Sequence, residues 1–398
     1  MQVQQGSQIV GLGYDPTGRR TSLTYPNSTS TTYSYDAASH LTNILHQGLS
    51  AVIDSVTYTY DAAGNRISVS RANDIPKPLP TAVQAAYDAA NEQIQFNSSS
   101  PNLTYDANGN LTNDGTNTYT WDARNRLIAQ SGPGVSASFS YDALGRRTRK
   151  TINGGTTSYL YDGNDIVQEI GGGSVGASYL RGLKIDEAFV RQSSGNEFYH
   201  SDALGSVLAL TGQTGAVQTK YNYEAFGKTT ITGTSINPFQ YTGRENDGTG
   251  LYYYRARFFS VTAQRFISED PIGLFGGDTN LYAYVLNNPT RFVDQLGLDW
   301  FRPPSEPYVV GRPGTLVEPG EGLGKFIEDY VPAMHTLGIF HDQLVDMGVS
   351  VGLPDWLINI PTMPGMYVIA VETELYNNFD EIRQKMRDRG RGLGRRKG

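Results

Sequence analysis

The pair Tyr-Asp, followed within a few residues by Gly or Asn, recurs along most of this chain. Well-formed copies of the unit Y-D-A-x-G-x-R/L begin at residues 14, 35, 60, 105, 121 and 141, with Trp in place of Tyr at 121. Degenerate copies begin at residues 161, 201 and 223. Most copies are about 16 to 27 residues apart, which is the length of one small supersecondary unit. The sequence therefore indicates an array of similar units.

Each copy is typical of a β-hairpin. SVTYTY (residues 55–60) alternates its side chains as a strand does, and RISVS (residues 66–70) supplies a return strand. In the turn between them, the Asp side chain can accept backbone hydrogen bonds and Gly can adopt positive φ. One hairpin cannot bury its own face, so neighbouring hairpins must pair. We predict a mainly β fold, a spiralling antiparallel sheet that forms part of a shell.

Residues 72–100 interrupt the repeat with three prolines and a short Ala-rich stretch. Tyr87-Asp88 preserves the motif there, so an insertion or an imperfect repeat is expected rather than a separate domain. The chain has no Cys, which excludes disulfides and thiolate metal sites. It begins without the charged and apolar regions of a signal peptide. Residues 353–371 come closest to a spanning helix, but prolines and Asp355 interrupt them, so we expect a soluble protein.

Residues 241–298 contain YTGRENDGTGLYYYRARFF, QRFISEDPIGL and NLYAYVLNNPTRFVD, and they close on Gly-Leu. With the Tyr-Asp units, these motifs resemble the C-terminal end of Rhs/YD-repeat proteins. That family includes Rhs polymorphic toxins and the shell components of insecticidal toxin complexes. The resemblance covers residues 10–298 and implies a hollow β-shell that encloses a variable C-terminal toxin. Family shells are longer, so we expect a fragment, a degenerate remnant, or the last shell piece with its toxin.

On this resemblance the chain divides into four parts. They are repeats at 1–242, an RHS-associated core at 243–298, a Pro/Gly-rich linker at 299–322, and a variable toxin-like domain at 323–398. The last part is predicted to be mostly helical, because apolar residues recur at helical spacing between Phe326 and Phe340.

The core contains two D-x-x-G-L elements, at residues 270–274 and 294–298. Paired elements of this kind in the family resemble an aspartyl autoprotease that frees the toxin. The resemblance therefore implies Asp270 and Asp294 as the catalytic carboxylates, with cleavage between Leu298 and Asp299. The second element departs from the family pattern, because Gln295 stands where the family has Pro and leaves the backbone freer.

Carboxylate-catalysed peptide hydrolysis needs one ionised group to activate water and one protonated group for the carbonyl and the leaving amine. Arg257 and Arg265 are the candidates that would decide which acid keeps the proton. The alternative interpretation is that D-P-x-G is simply a turn sequence. Asp278, a third acid nearby, is expected to belong to a Gly-Gly-Asp turn.

The motif NLYAYVLNNP, residues 280–289, also has two interpretations. Alternation of Tyr282 and Tyr284 with small and apolar residues is typical of one more strand. By resemblance, the motif plugs or seals the shell.

Residues 299–398 share nothing with the repeats. His335, His341, Asp342 and Asp346 are the candidate effector residues, because a His and a carboxylate on one helix face can act as a general base or hold a divalent metal. They match no zinc signature, and an amphipathic helix with polar edges is the alternative. Residues 383–398 contain eight Lys or Arg and one Asp. That tail is expected either to contact nucleic acid or lipid phosphates or to be simply solvated.

The leading functional hypothesis is a secreted or cell-surface toxin module that cleaves itself and releases its effector. The alternatives are an adhesive YD-repeat protein and an inactive Rhs fragment. Expected partners are the chain's own C-terminal payload, a cognate immunity protein and a secretion-system component. No cofactor or metal is expected, and the sequence leaves open what the effector does.

Overall fold

The structure, a computed structural model, describes residues 1–73, 84–96 and 103–298. These residues form antiparallel β-sheets in which each strand pairs with its neighbour in the sequence. The prediction of a mainly β, antiparallel fold is therefore confirmed. Within the same ranges, no helix is long and apolar enough to cross a bilayer.

The first sheet contains seven of the described strands, in sequence order. They are β1 (Gln2–Gln5), β2 (Gln8–Tyr14), β3 (Arg20–Thr24), β4 (Ser30–Tyr35), β5 (Leu41–Gln47), β6 (Val52–Tyr60) and β7 (Arg66–Arg71).

A separate hairpin lies in the predicted interruption, with β8 (Ala85–Tyr87) paired to β9 (Gln93–Phe96). Its turn is that of the repeat, because Asp88 accepts hydrogen bonds from Ala90 N and Glu92 N, both at 2.9 Å. Residues 84–96 are therefore an imperfect copy of the repeat.

The second sheet contains fourteen of the described strands. They are β10 (Thr104–Tyr105), β11 (Leu111–Asn113), β12 (Thr118–Trp121), β13 (Leu127–Gly132), β14 (Val135–Tyr141), β15 (Arg147–Ile152), β16 (Gly155–Asp162), β17 (Asp165–Gly171), β18 (Ser174–Arg181), β19 (Ala188–Gln192), β20 (Asn196–Ser201), β21 (Val207–Thr211), β22 (Val217–Tyr223) and β23 (Thr229–Gly233). The expected long sheet is thus divided on either side of the interruption.

A small sheet of four strands follows among the residues described. Its strands are β24 (Glu245–Asn246), β25 (Leu251–Tyr254), β26 (Arg257–Ser260) and β27 (Arg265–Phe266), and short 3-10 helices lie at Tyr241–Gly243, Gly273–Gly276 and Val285–Asn287.

The repeat motif builds its turn from local hydrogen bonds. In the turn between β6 and β7, Asp61 Oδ1 accepts from Ala63 N at 3.0 Å and from Asn65 N at 2.8 Å. Gly64 adopts a φ of 74°, the left-handed conformation that glycine enters without steric cost. The structure therefore confirms the predicted turn, in which Asp accepts backbone hydrogen bonds and Gly adopts positive φ.

The tyrosine of the motif has a second, non-local role. Its hydroxyl donates to the carbonyl of the residue that begins a strand in the preceding hairpin, as Tyr60 does to Leu41 O at 2.8 Å. Tyr141 does the same to Leu127 O at 2.6 Å. These bonds tie each repeat to the previous one and hold adjacent hairpins in register.

The small sheet is buried on both faces. Leu251 and Tyr253 of β25 pack in a cluster with β11, β13 and β14, whereas Tyr252 and Tyr254 pack in another with residues of the first and second sheets. All four side chains are at most 3% exposed. The residues that follow this buried sheet in the chain carry the candidate site.

Candidate active site

Arg257 connects the two acids singled out by the sequence. It begins β26, is 3% exposed, and lies over the Phe266 ring at 3.7 Å from the centroid. Its Nη2 pairs with Oδ2 of Asp270 at 2.8 Å and with Oδ2 of Asp294 at 3.2 Å. The two oxygens cannot be more than about 6 Å apart, the sum of those distances. Two carboxylates separated by 24 positions in the chain are thus held by one guanidinium.

Asp270 is placed by a turn that its own element forms. Its Oδ1 accepts from Ile272 N at 3.0 Å, and its carbonyl accepts from Gly273 N at 2.9 Å. Its backbone N–H donates to Leu281 O at 2.9 Å. The carboxylate is 7% exposed. The first D-x-x-G element therefore does form a turn, as the alternative interpretation predicted. The same turn places the carboxylate of Asp270 against Arg257.

Asp294 closes a similar turn at the second element. Its Oδ1 accepts from Gly297 N at 2.6 Å and from Leu298 N at 3.1 Å, and the residue is 2% exposed. Gly297 has a φ of 74°, and a Cβ there would collide with Tyr254 O. The glycine of the element is therefore required both for the turn and for its close approach to β25.

The Leu298 carbonyl lies beside Asp270. An added Cβ on Gly276 would lie 2.7 Å from Leu298 O and 2.8 Å from Asp270 Oδ2. The two oxygens are thus within about 5.5 Å, the sum of those distances. Because Gly276 has no side chain, the carbonyl of the predicted cleavage residue can approach the acid. Asp299, the other side of that bond, lies outside the described residues.

A small cleft of about 20 Å³, enough for a single water molecule, lies against these groups. Its lining includes Arg257, Asp270, Gly276, Asp278, Leu286 and Asp294. Asp278 Oδ1 accepts from Asn280 N at 2.8 Å, as expected of a turn residue. Water can therefore reach a carboxylate pair, an arrangement that can divide the work of base and acid in hydrolysis.

A chain of hydroxyls, which the sequence did not reveal, lies behind the acids. Thr242 Oγ1 bonds Tyr254 OH at 2.8 Å, and Tyr254 OH donates to Tyr284 OH at 3.1 Å. Burial raises the pKa of Tyr284 well above its ordinary value, and the nearby charge of Asp294 adds to the rise. Tyr284 is therefore a neutral hydroxyl at working pH. Its complete burial, at 0% exposure, is the feature that distinguishes Tyr284, and the sequence does not show that burial.

Arg265 occupies a different place from Arg257. Its Nη2 donates to Asn91 O at 2.8 Å and to Asn280 Oδ1 at 3.1 Å. Its guanidinium lies between the rings of Tyr87 and Tyr282, at 5.0 and 4.8 Å. It thus joins the β8–β9 hairpin to the NLYAY segment.

The strand interpretation of NLYAYVLNNP is wrong. Val285–Asn287 is a short 3-10 segment whose residues have φ of 46°, 54° and 55°, which no strand accommodates. Tyr282 and Tyr284 are both fully buried, and Tyr282 OH donates to Gly109 O at 2.8 Å. The alternating tyrosines therefore anchor an irregular segment in the core.

The effector candidates and the basic tail lie outside the described residues. They comprise His335, His341, Asp342, Asp346 and residues 383–398. In the part of the chain that the structure does describe, no group of three or more His, Asp or Glu side chains could hold a metal ion.

The model of the teneurin YD-shell family matches residues 5–275. The tRNA nuclease WapA of Bacillus subtilis (strain 168) is 36% identical over 256 positions, which cover 61% of this chain and 11% of WapA. Double-stranded DNA deaminase toxin A of Burkholderia cenocepacia (strain H111) is 27% identical over 380 positions, which cover 80% of this chain and 25% of the toxin.

A similar fold occurs in the crystal structure of TcdB2-TccC3 without the hypervariable C-terminal region. The TM-score is 0.55 at 20% identity, over 74% of this chain and 19% of the other. Similarity at that identity concerns the fold alone. The chain spans a quarter or less of the length of each of these proteins.

Proposed function

The chain belongs to the Rhs/YD-repeat family, and from that premise we propose that it is the C-terminal part of a polymorphic toxin that cuts itself after Leu298. The shell residues would carry the protease, and residues 299–398 would be the released payload. Relatives named as a tRNA nuclease and a DNA deaminase toxin support a toxic payload. A related structure described as lacking a hypervariable C-terminal region supports a variable segment in that position.

One observation carries the protease proposal. Arg257 pairs with both Asp270 and Asp294, and Leu298 O lies beside the same Asp270 carboxylate. An acid pair used only to cap turns would not require a shared arginine or a glycine cradle for the last carbonyl. The geometry supports a site in which the chain is both enzyme and substrate, so positioning supplies much of the rate.

The reaction adds one water molecule across the peptide bond between Leu298 and Asp299. One carboxylate takes a proton from water as the water oxygen bonds to the Leu298 carbonyl carbon. The other delivers a proton to the Asp299 nitrogen as the carbon–nitrogen bond breaks. The products are a carboxylate at Leu298 and a free amine at Asp299. Arg257, bonded to both acids, keeps them in place throughout.

Intact-mass measurement of the purified full chain tests this proposal. The wild type should yield a fragment that begins at Asp299, and Asp270→Asn and Asp294→Asn should each remain whole. Asp278→Asn is the matched control, since it makes the same substitution in an acid of the same cleft that caps only a turn. An uncut wild type, or cutting that persists in either Asn variant, would exclude the protease.

The payload proposal has a separate test. Induced expression of residues 299–398 inside bacterial cells should arrest growth if that segment is an effector. The control is expression of residues 1–298 from the same vector, which should leave growth unchanged. Normal growth with residues 299–398 would remove the effector assignment and leave the interpretation as an adhesive or inactive repeat protein. We propose that the protein acts outside the producing cell, either after secretion or at the cell surface.

A further inference from the structure

Three consecutive carbonyls before the proposed cleavage point are held by three consecutive residues. Ala256 N donates to Leu296 O at 3.0 Å, and Arg257 Nε donates to Gly297 O at 2.6 Å. The carbonyl of Gln295 accepts from Arg255 Nη1. Residues 295, 296 and 297 are therefore paired in order with residues 255, 256 and 257. The next carbonyl along the chain, that of Leu298, is the one that lies beside Asp270.

Arg255 is itself fixed by acids of the repeat sheet. Its guanidinium pairs with both carboxylate oxygens of Asp186, at 2.6 and 3.1 Å, and with Asp165 Oδ1 at 3.3 Å. Asp165 begins β17, and Asp186 lies in the loop between β18 and β19. A bidentate arginine–carboxylate pair sets orientation as well as distance. The anchor for the cleavage segment thus comes from residues 69 and 90 positions earlier in the chain.

The backbone of Arg255 is also unusual. It sits at the turn between β25 and β26 with a φ of 60°, a left-handed conformation rare for a residue of this size. Such conformations persist where the surroundings impose them, and they are frequent at functional sites. Here the conformation accompanies a side chain that reaches Gln295, the residue that replaces proline in the second element. A carbonyl clamp can supply order that the missing proline ring does not.

We infer that Arg255, anchored by Asp186 and Asp165, is a positioning residue that clamps the Gln295 carbonyl and so, together with the bonds that hold residues 296 and 297, presents the Leu298 carbonyl to the acids. This inference rests on the proposed self-cleavage. It also gives the reaction a folding requirement, because the anchor exists only once β17 to β19 have formed. The chain would cut itself after its repeat sheet is assembled and not before.

Two measurements test the clamp on the full-length chain. The first is hydrogen exchange of Gly297 and Leu298 amides in Asp270→Asn, a background that prevents cutting. Adding Arg255→Met should speed their exchange roughly 10- to 100-fold, and by more than it speeds the amides of β12 to β14 in the same variant, which report any general loss of stability. Adding Arg124→Met, a loss of the same charge at an exposed turn residue, should leave it unchanged.

The second measurement is the rate at which newly translated full chain is cut. Arg255→Met should slow it roughly 10- to 100-fold, and Asp186→Asn should slow it too. Arg255→Lys should restore part of the rate, since it keeps the charge and loses the bidentate fork. A residue needed only for folding would slow cutting only as far as it lowers the fraction of folded chain, which urea denaturation of each variant in the uncut Asp270→Asn background measures.

The outcomes separate the clamp from the protease. A wild type that is never cut would exclude self-cleavage, yet the exchange rates would still report whether Arg255 holds the segment. Unchanged exchange in Arg255→Met would overturn the clamp even if the wild type cuts itself. Faster exchange with an unchanged cutting rate would overturn the positioning role.

Discussion

Arg147 offers the sharpest test of how the small sheet is attached to the repeats. It begins β15, is 0% exposed, and donates to Glu245 Oε1 at 2.9 Å and to both carboxylate oxygens of Asp247. Its guanidinium lies 4.1 Å from the centre of the Tyr253 ring. Lys150 Nζ also bonds Asp247 Oδ1 at 2.9 Å. Two positive and two negative groups therefore form a neutral network across the junction.

Replacement of Arg147 by Met keeps most of the side-chain volume but leaves two buried carboxylates with one cation. Breaking a buried ion pair from one side costs about 3–5 kcal/mol, because the remaining charge is uncompensated. Loss of the contact with the Tyr253 ring adds up to about 2 kcal/mol for a desolvated cation. We expect the free energy of unfolding at pH 7 to fall by at least about 3 kcal/mol.

The pH dependence of that loss has a definite sign. Burial alone would raise the pKa of Asp247, but the charges of Arg147 and Lys150 overcome it and lower that pKa below its ordinary value. The wild-type network thus contributes stability above the unfolded pKa of aspartate and loses it as the pH falls. In Arg147→Met, the negative charge that Lys150 leaves uncompensated is relieved by protonation of an acid. The difference between the two proteins should therefore narrow between pH 7 and pH 4.

Urea denaturation of the full chain, followed by near-ultraviolet circular dichroism of its tyrosines, measures this effect. Arg149→Met on the same strand is the matched control, because Arg149 is exposed and should change stability by no more than about 0.5 kcal/mol. The triple variant Arg147→Met, Glu245→Gln, Asp247→Asn should recover much of the loss. If Arg147→Met and Arg149→Met unfolded at the same urea concentration, the reasoning would be refuted.

Two further predictions concern the cleft and a buried histidine pair. Gly276→Ala should slow self-cleavage at least about tenfold, because its Cβ would occupy the space between Leu298 O and Asp270 and push the carbonyl away from the acid. Gel quantification of the fragment checks this, and a cutting rate equal to that of the wild type would contradict it. His46 and His200 lie with ring centres 5.2 Å apart, and burial lowers the pKa of His46 to about 4, an effect that the Asp54 charge opposes and the Arg71 charge reinforces. Burial also lowers the pKa of His200, and the neighbouring His46 lowers it further. The stability that His46 contributes should be full above about pH 6.5 and should fall by roughly 3 kcal/mol towards pH 4, since the unfolded chain binds the proton first, and His200 should add to that fall. The free energy of unfolding should differ less between pH 7.5 and pH 5.0 in His46→Gln than in the wild type. An equal difference in the two proteins would show that His46 is not the cause.

Local features of the fold were predictable from the sequence. In the well-formed repeats the aspartate bonds backbone groups two and four residues on, and the residue before the second of them, most often Gly, adopts positive φ, as at Asp61 and Gly64. Such contacts depend on a few neighbouring residues, so the motif contains all the information they need. The two acids of the candidate site were singled out by the resemblance of their elements to the paired motifs of the family, whereas the local pattern by itself indicated only two turns.

Other features of the site could not be read from the chain. Arg257 and Arg265 lie on adjacent strands of one hairpin, and by spacing both were equally good candidates. Of the two, Arg257 is bonded to both acids. Arg255 was missed, since its partners are 69 and 90 positions away. The alternation at Tyr282 and Tyr284 indicated a strand, whereas both side chains are buried in the core and the backbone turns left-handed just after them.

The amino-acid sequence by itself determined the hairpins, because each turn is closed by bonds between side chains and backbone only a few residues apart. Tertiary structure alone decided which arginine meets which acid and which carbonyl is clamped. Those pairings depend on strand register and on burial of both faces of one small sheet, and both arise from contacts between parts of the chain that no local pattern relates.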